Sequence, residues 1–142
     1  MHILYTKDTN DIDWHVLRTA FTASGLRDGR SAMQLSRAFN ESRGRCFASV
    51  ENMLVGTARA VSDRTRRAYI ADVWTHPSHR RRGVATSMVY ALLKELSTQH
   101  AYVFTAPLWF GLYAKFGFEI ADRQLPVKDK IYLIERAPGP LE

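Results

Sequence analysis

The stretch Asp72-Val73-Trp74-Thr75-His76-Pro77-Ser78-His79-Arg80-Arg81-Arg82-Gly83-Val84-Ala85-Thr86 holds the residues best suited to chemistry. An extended segment must stop at Pro77, which has no N–H with which to continue a ladder. A basic turn follows, and Gly83 and Ala85 then open a run with helical spacing. Small residues at a helix start leave the backbone amides unshielded. Those amides point outward, and the helix macrodipole adds partial positive charge to them. Each anion–helix contact is worth about 0.3–1 kcal/mol at an exposed site. Several such amides, flanked by Arg80, Arg81 and Arg82, make a diphosphate cradle. The spacing is neither that of a Walker A loop, which needs Gly-Lys-Ser/Thr, nor the dinucleotide-binding GxGxxG. A nucleic-acid patch would interleave aromatic residues along a basic groove, whereas these arginines are confined to turns. His76 and His79 lack the cysteine or third ligand of a zinc site, so no metal is expected. Asp72 lies two residues before Trp74, on the same strand face by alternation. A carboxylate there suits proton abstraction from an ammonium, and equally a structural acceptor.

A strand must deliver these residues and a helix must receive the anion. Ala68 to Thr75 reads as the strand. Ala85, Met88, Val89, Leu92, Leu93 and Leu96 fall at i, i+3, i+4, i+7 spacing and read as a long amphipathic helix. Upstream, His2 to Thr6 reads as a short strand. Asp11 or Asp13 caps a helix that turns Trp14, Leu17 and Phe21 inward and ends at Gly25. A second helix groups Ala32, Leu35 and Phe39 and ends at Gly44. Cys46 to Val50 and Leu54 to Ser62, joined through Glu51-Asn52, suggest a hairpin. Downstream come a strand (Ala101 to Thr105), a short helix (Leu108 to Lys115) and two closing strands (Phe116 to Ile120, Ile131 to Glu135). The order β-α-α-β-β-β-α-β-α-β-β calls for a mixed sheet with helices on both faces.

With 142 residues the chain is the size of one domain able to bury its own core. Its 46% hydrophobic and 24% charged residues are a globular composition. No apolar run approaches the roughly 20 residues that span a bilayer. The opening MHILYTKDTND lacks a basic region followed by an apolar stretch, so neither a membrane partner nor a signal peptide is expected. Cys46 is the sole cysteine, which excludes a disulfide framework within the chain and fits a reducing cytoplasm. The net charge of +6 attracts anions: nucleic acid, anionic lipid or a phosphorylated cofactor. Two clusters, Arg64/Arg66/Arg67 and Arg80/Arg81/Arg82, hold much of it. The second adjoins a helix start, which favours the cofactor over nucleic acid.

Arg80-x-x-Gly83-x-Ala85, following Thr75-His76-Pro77 and opening a long helix, resembles the (Q/R)-x-x-G-x-(G/A) acetyl-CoA motif of the GNAT superfamily of N-acetyltransferases. Leu112-Tyr113-Ala114-Lys115-Phe116-Gly117-Phe118 resembles the Y-x-x-(L/F)-G-F signature that closes such domains. The resemblance extends over nearly the whole chain. It implies one domain over residues 1–142 with the GNAT-type acyl-CoA N-acyltransferase fold, an α/β (α+β) arrangement with a mixed, mostly antiparallel sheet. It also implies acetyl-CoA as co-substrate and a primary amine of a small molecule or peptide as acceptor. Carried onto this chain, Val73, Trp74 and Thr75 pair through their backbone with the pantetheine arm, which carries two amides. Arg80 opens the motif, and the amides of Arg81, Arg82, Gly83, Val84, Ala85 and Thr86 take the pyrophosphate. Tyr113 matches the family tyrosine assigned as general acid, and a phenol of pKa near 10 suits a thiolate leaving group. Its alternative is an aromatic packed on the sulfur end of the cofactor. Many relatives carry a glutamate on the central strand, where this chain has Ala71 beside Asp72. The base is then Asp72, a water chain, or none if the amine arrives neutral.

Relatives often place an asparagine before the last helix, where this chain reads Thr105-Ala106-Pro107-Leu108-Trp109. Trp74, Trp109 and Phe110 line an aromatic acceptor pocket or belong to the core. The acceptor-facing segment, about Gly25 to Gly44, holds Arg27, Asp28, Arg30, Arg37 and Glu41, a mixed charge that names no substrate. Dimers are common in the superfamily, and the sequence leaves the oligomeric state open. A non-catalytic acyl-CoA-binding module on the same fold is the alternative function.

Overall fold

Capping decides where the two N-terminal helices begin. Asp13 Oδ1 accepts the amides of His15 and Val16, each at 3.1 Å, and opens α1 (Trp14–Ala23). Ser31 and Gln34 form a reciprocal capping box at the head of α2 (Ala32–Asn40). Past the end of α1, Gly25 enters the left-handed region at φ +91°, as a helix stop requires. Helix α2 stops at Asn40, short of the expected Gly44. Gly44 instead begins strand β2 (Gly44–Val50), where a Cβ would lie 3.2 Å from Leu92 Cδ2 of the central helix. The glycine serves a close helix–sheet approach and not a helix end.

The computed structural model describes residues 2–26, 28–121 and 130–141. Its remaining elements are β1 (Leu4–Thr6), β3 (Met53–Ser62), β4 (Arg67–Thr75), α3 (Val84–Glu95), β5 (His100–Thr105), α4 (Phe110–Ala114), β6 (Glu119–Ile120) and β7 (Tyr132–Arg136). The element order is the expected one, although β6 is shorter than Phe116 to Ile120 and a single 3-10 turn (Pro107–Trp109) precedes α4. Among the described residues the strands form one sheet in the order β1-β2-β3-β4-β5-β7-β6. Only β4 and β5 run parallel, with α3 as their crossover. Glu51 and Asn52 sit at φ +49° and +67°, the left-handed pair that closes a two-residue hairpin. In the next turn Asp63 Oδ1 accepts the amides of Arg66, Thr65 and Arg67, which holds its carboxyl well below the usual range.

Each face of the sheet has its own apolar cluster. Leu17 and Phe21 of α1 and Leu35 and Phe39 of α2 pack on Phe47 and Trp74. On the other face Val84, Met88, Val89, Leu92 and Leu93 of α3 pack on Val55, Ala58, Ala60, Ala68, Ile70 and Val103, and Tyr113 and Phe118 join them. This is the mixed α/β, mostly antiparallel arrangement with helices on both faces. No helix among the described residues is long and apolar enough to cross a membrane.

Gly56 sets how closely the start of α3 sits on the sheet. A Cβ there would fall 2.8 Å from Met88 Cε and 2.9 Å from Val84 Cγ1. Methionine can swing aside, but a helical valine has one strongly preferred rotamer. Gly56→Ala is therefore expected to lower unfolding stability by about 1–3 kcal/mol, measured by urea denaturation. Unchanged stability would mean that this contact does not seat the helix.

Candidate functional site

Strands β4 and β5 part company in mid-course. Their partners run from Arg67–His100 to Ile70–Val103 and end there, while β5 continues to Thr105 against β7 and β4 to Thr75 against β3. A bulge accounts for the divergence. Thr57 pairs with Trp74 and Arg59 with Ala71, so Asp72 and Val73 together oppose the single Ala58. Asp72 is left-handed at φ +51°, and its carbonyl accepts the Thr57 hydroxyl at 2.8 Å. Beyond the bulge the outer edge of β4 at Val73, Trp74 and Thr75 has no strand partner among the described residues.

The Asp72 side chain fixes this bend. Arg30 Nη1 and Nη2 donate to its two oxygens at 2.8 and 2.7 Å, and Arg59 Nε donates at 2.6 Å. The guanidiniums lie 6.0 Å from the Phe21 ring centroid and 5.9 Å from that of Phe39. Burial alone would raise the Asp72 pKa. The hydrogen bonds from Arg30 and Arg59, followed by their charges, outweigh it and hold the carboxyl below its ordinary value. Sequence reasoning missed this partnership. Its signal was the lone charged residue, Arg59, inside an otherwise apolar and small-residue strand.

After Thr75 the chain leaves the sheet, with His76 N–H donating to Val55 O at 2.7 Å. His76 Nδ1 accepts the Ser78 amide, and Ser78 Oγ lies 2.8 and 2.7 Å from Nδ1 of His76 and His79. The two histidines thus close a turn (Pro77–His79). Among the described residues no group of three or more His, Cys, Asp or Glu could hold a metal ion. Arg80, Arg81, Arg82 and Gly83 are exposed, with Arg81 at φ +62° and Gly83 at φ +78°. Gly83 is the N-cap of α3 and supplies no side-chain cap. Val84 is buried and anchors the helix, while Ala85 and Thr86 are half-buried. Left-handed residues beside a helix start turn successive amides to one side and form an anion-binding concavity.

Tyr113 is buried on α4, edge-on to Phe118 at 5.5 Å, and burial pushes its phenol well above the usual value. Five-residue α4 is too short to hold itself in place. Buried Arg136 fastens it, donating from Nε to Phe116 O at 2.7 Å and from Nη2 to Gly139 O at 3.0 Å. Tyr113 shares an apolar cluster with Val84 and with partly buried Val73, while Asp72 lies on the opposite face of the sheet. Trp74 is only 4% exposed and donates its indole N–H to Ser24 Oγ at 3.0 Å. It is a core wedge against Phe21 and not a pocket wall. Phe110 packs on the α3-side cluster and edge-on to Tyr132, leaving only Trp109 largely exposed. Arg27 lies outside the described residues.

The Acetyltransferase (GNAT) family model matches residues 9–118, and the chain belongs to this family. A stretch of 70 residues is 36% identical to the human cysteine-rich protein 2-binding protein, covering 48% of this chain but only 9% of that much longer protein. Among solved structures the chain is similar to a putative GNAT acetyltransferase from Xanthomonas campestris pv. campestris, with TM-score 0.72 and 25% identity over 89% of this chain and 95% of the other. It is similar in fold to an aminoglycoside 6'-N-acetyltransferase complexed with coenzyme A, with TM-score 0.79 and 15% identity over 96% of this chain and 99% of the other.

Asp72→Asn leaves the mostly buried Arg59 without its anion and Arg30 with only the exposed Asp28, and is expected to cost about 3–5 kcal/mol at neutral pH. Because the folded pKa is depressed, the contribution is complete above the unfolded value of about 3.9 and is lost as pH falls through the lower folded value. Urea titrations should therefore show the gap between wild type and variant narrowing below about pH 4. A gap independent of pH would contradict the ion-paired carboxylate.

Proposed function

We propose that the chain transfers the acetyl group of acetyl-CoA to a primary amine. The observation that carries this reading is the edge of β4 past Ile70, which has no strand partner among the described residues and leads through an exposed arginine turn into the start of α3, where Gly83 supplies no side-chain cap. In a member of this family, that edge offers Val73, Trp74 and Thr75 to the amides of pantetheine as an added strand. Amides from Arg81 to Thr86, with the side chains of Arg80 to Arg82, take the pyrophosphate. Pairing along the edge holds the thioester in the gap between β4 and β5, and holding it beside an amine supplies much of the rate.

The neutral amine attacks the thioester carbonyl, the C–N bond forms, the C–S bond breaks, the thiolate takes a proton from the Tyr113 hydroxyl, and the proton released by the acylated nitrogen returns through water to the tyrosinate. Burial keeps Tyr113 protonated at neutral pH but makes it a weaker acid than a free phenol, so its proton moves only once negative charge has built up on sulfur. Asp72 is a poor base, because both its oxygens serve guanidiniums and its pKa is lowered. Its part is to hold the bulge, and the acceptor loses its proton to water or arrives neutral. The single cysteine, Cys46, is buried and its thiol is pushed up to about 11 by that burial, so it supplies no nucleophile.

The test measures coenzyme A affinity by calorimetry and thiol release from acetyl-CoA across a panel of amines. Tyr113→Phe is expected to lower kcat by about 100-fold, within the range of general acid catalysis, with coenzyme A affinity nearly unchanged. Equal losses in both would assign the tyrosine to binding. A non-catalytic acyl-CoA-binding module is the second reading, favoured by the occupied Asp72 carboxylate. Coenzyme A binding without transfer to any amine would establish it.

A further inference from the structure

The face of the sheet away from α3 extends beyond the cover of α1 and α2, and there it carries a strip of aromatic rings. Tyr69 stacks on Tyr102 with centroids 5.1 Å apart and on Phe104 at 6.2 Å, and His100 stacks on Tyr102 at 4.7 Å. Tyr69 is 42% exposed and Phe104 52%. Alternation puts the rings on this face, because Ala68, Ile70, Ala101 and Val103 fill the cluster under α3. The strip reaches the gap between the strands, since Phe104 follows Val103, the last residue of β5 paired with β4.

Its outer margin is acidic. Glu135 stands in register with Tyr102, and Glu119 with Glu135. Like charges directly opposite on neighbouring strands destabilise a sheet, so this pair favours a cation beside it. His100 Nε2 lies 2.8 Å from Glu135 Oε1 and orients that carboxylate. Arg30 and Arg59 are both committed to Asp72, and Arg67 lies at the far end in register with His100. On this face, among the described residues, the groups that line the outer margin of the strip are two carboxylates, which suit a cationic acceptor.

Resting on the acetyl-transfer reading above, we propose that this strip is the acceptor surface. It selects an amine whose apolar body lies on Tyr69, Tyr102 and Phe104 and whose second cationic group reaches Glu135 and Glu119. With about 3.3 Å per residue along a strand and about 4.8 Å between strands, that second charge lies roughly 8–12 Å from the reacting nitrogen.

Heptylamine, diaminoheptane and aminoheptanoic acid share a reacting amine and a closely matched chain and differ at the far end. The kcat/KM for diaminoheptane is expected to exceed that for heptylamine by about 10-fold, beyond the factor of two from its equivalent amines, with aminoheptanoate slowest. Glu135→Gln, with Glu119→Gln as a second variant, should erase most of that preference, and Phe104→Ala should raise KM for both amines. Calorimetric binding of diaminoheptane to the protein already holding coenzyme A gives a readout independent of turnover. Binding that weakens in the Glu135 and Phe104 variants without any turnover sinks the transferase reading and leaves the acceptor surface standing. Turnover without the dication preference, or a preference untouched by both Gln variants, overturns the surface and spares the transferase. Absence of binding and turnover overturns both. A dimer in sedimentation that Phe104→Ala converts to monomer assigns the strip to self-association and also overturns the proposal.

Discussion

One carboxylate between two guanidiniums organises the cleft. Asp72 is a left-handed, mostly buried aspartate in a strand interior, and such a residue costs about 1–3 kcal/mol of backbone strain before its charge is counted. It persists because Arg59 reaches it from β3 and Arg30 from the connection between α1 and α2. Three separate parts of the chain meet at that side chain. The bulge they maintain swings β4 away from β5, and the open edge follows from it. A regular β4 would have zipped onto β5 to its end and left no gap.

The two faces of the sheet are built differently around this gap. Under α3 the alanines at 58, 60 and 68 and the glycine at 56 keep the sheet surface low, so the helix lies close and its first turn is held by Val84. Over the other face α1 and α2 cover the part reached by Phe47 and Trp74, and on the β5–β7 side Phe104 is largely exposed. One face is closed by small residues and carries the basic turn at its rim. The other is half open and lined by rings and carboxylates. Arg136, buried at the far side, ties the short α4 to the C-terminal residues through carbonyls, so Tyr113 is positioned from a distance.

Much of the scaffold was legible because its signals are local. Helical spacing from Ala85 to Leu96, the Glu51-Asn52 turn and the Gly25 stop each follow from a few adjacent residues. Gly44 misled because a glycine after a helical run reads as a stop, and only the tertiary contact with Leu92 shows its use in a strand. The exposed turn at the head of α3 was legible from Gly83 and the preceding arginines. The fate of Asp72 was not, since its partners lie 13 and 42 residues away and no periodicity links them. Trp74 stayed open between pocket and core for a related reason: alternation gives its face, but only the packing of α1 shows that this face is covered there. The aromatic strip escaped notice because Tyr69 and Tyr102 become neighbours only when the crossover sets β4 beside β5.

The seating of Val84 against Gly56 makes α3 both the main apolar spar of the domain and the bearer of the exposed turn at its head. Fraying that turn means lifting Val84 out of the core, so occupancy of the turn and resistance to global unfolding are thermodynamically linked. An anion docked there at a hundredfold excess over its Kd adds about 2.7 kcal/mol to the unfolding free energy. Such an anion would raise the unfolding free energy of the sheet and its helix together, not that of the turn alone.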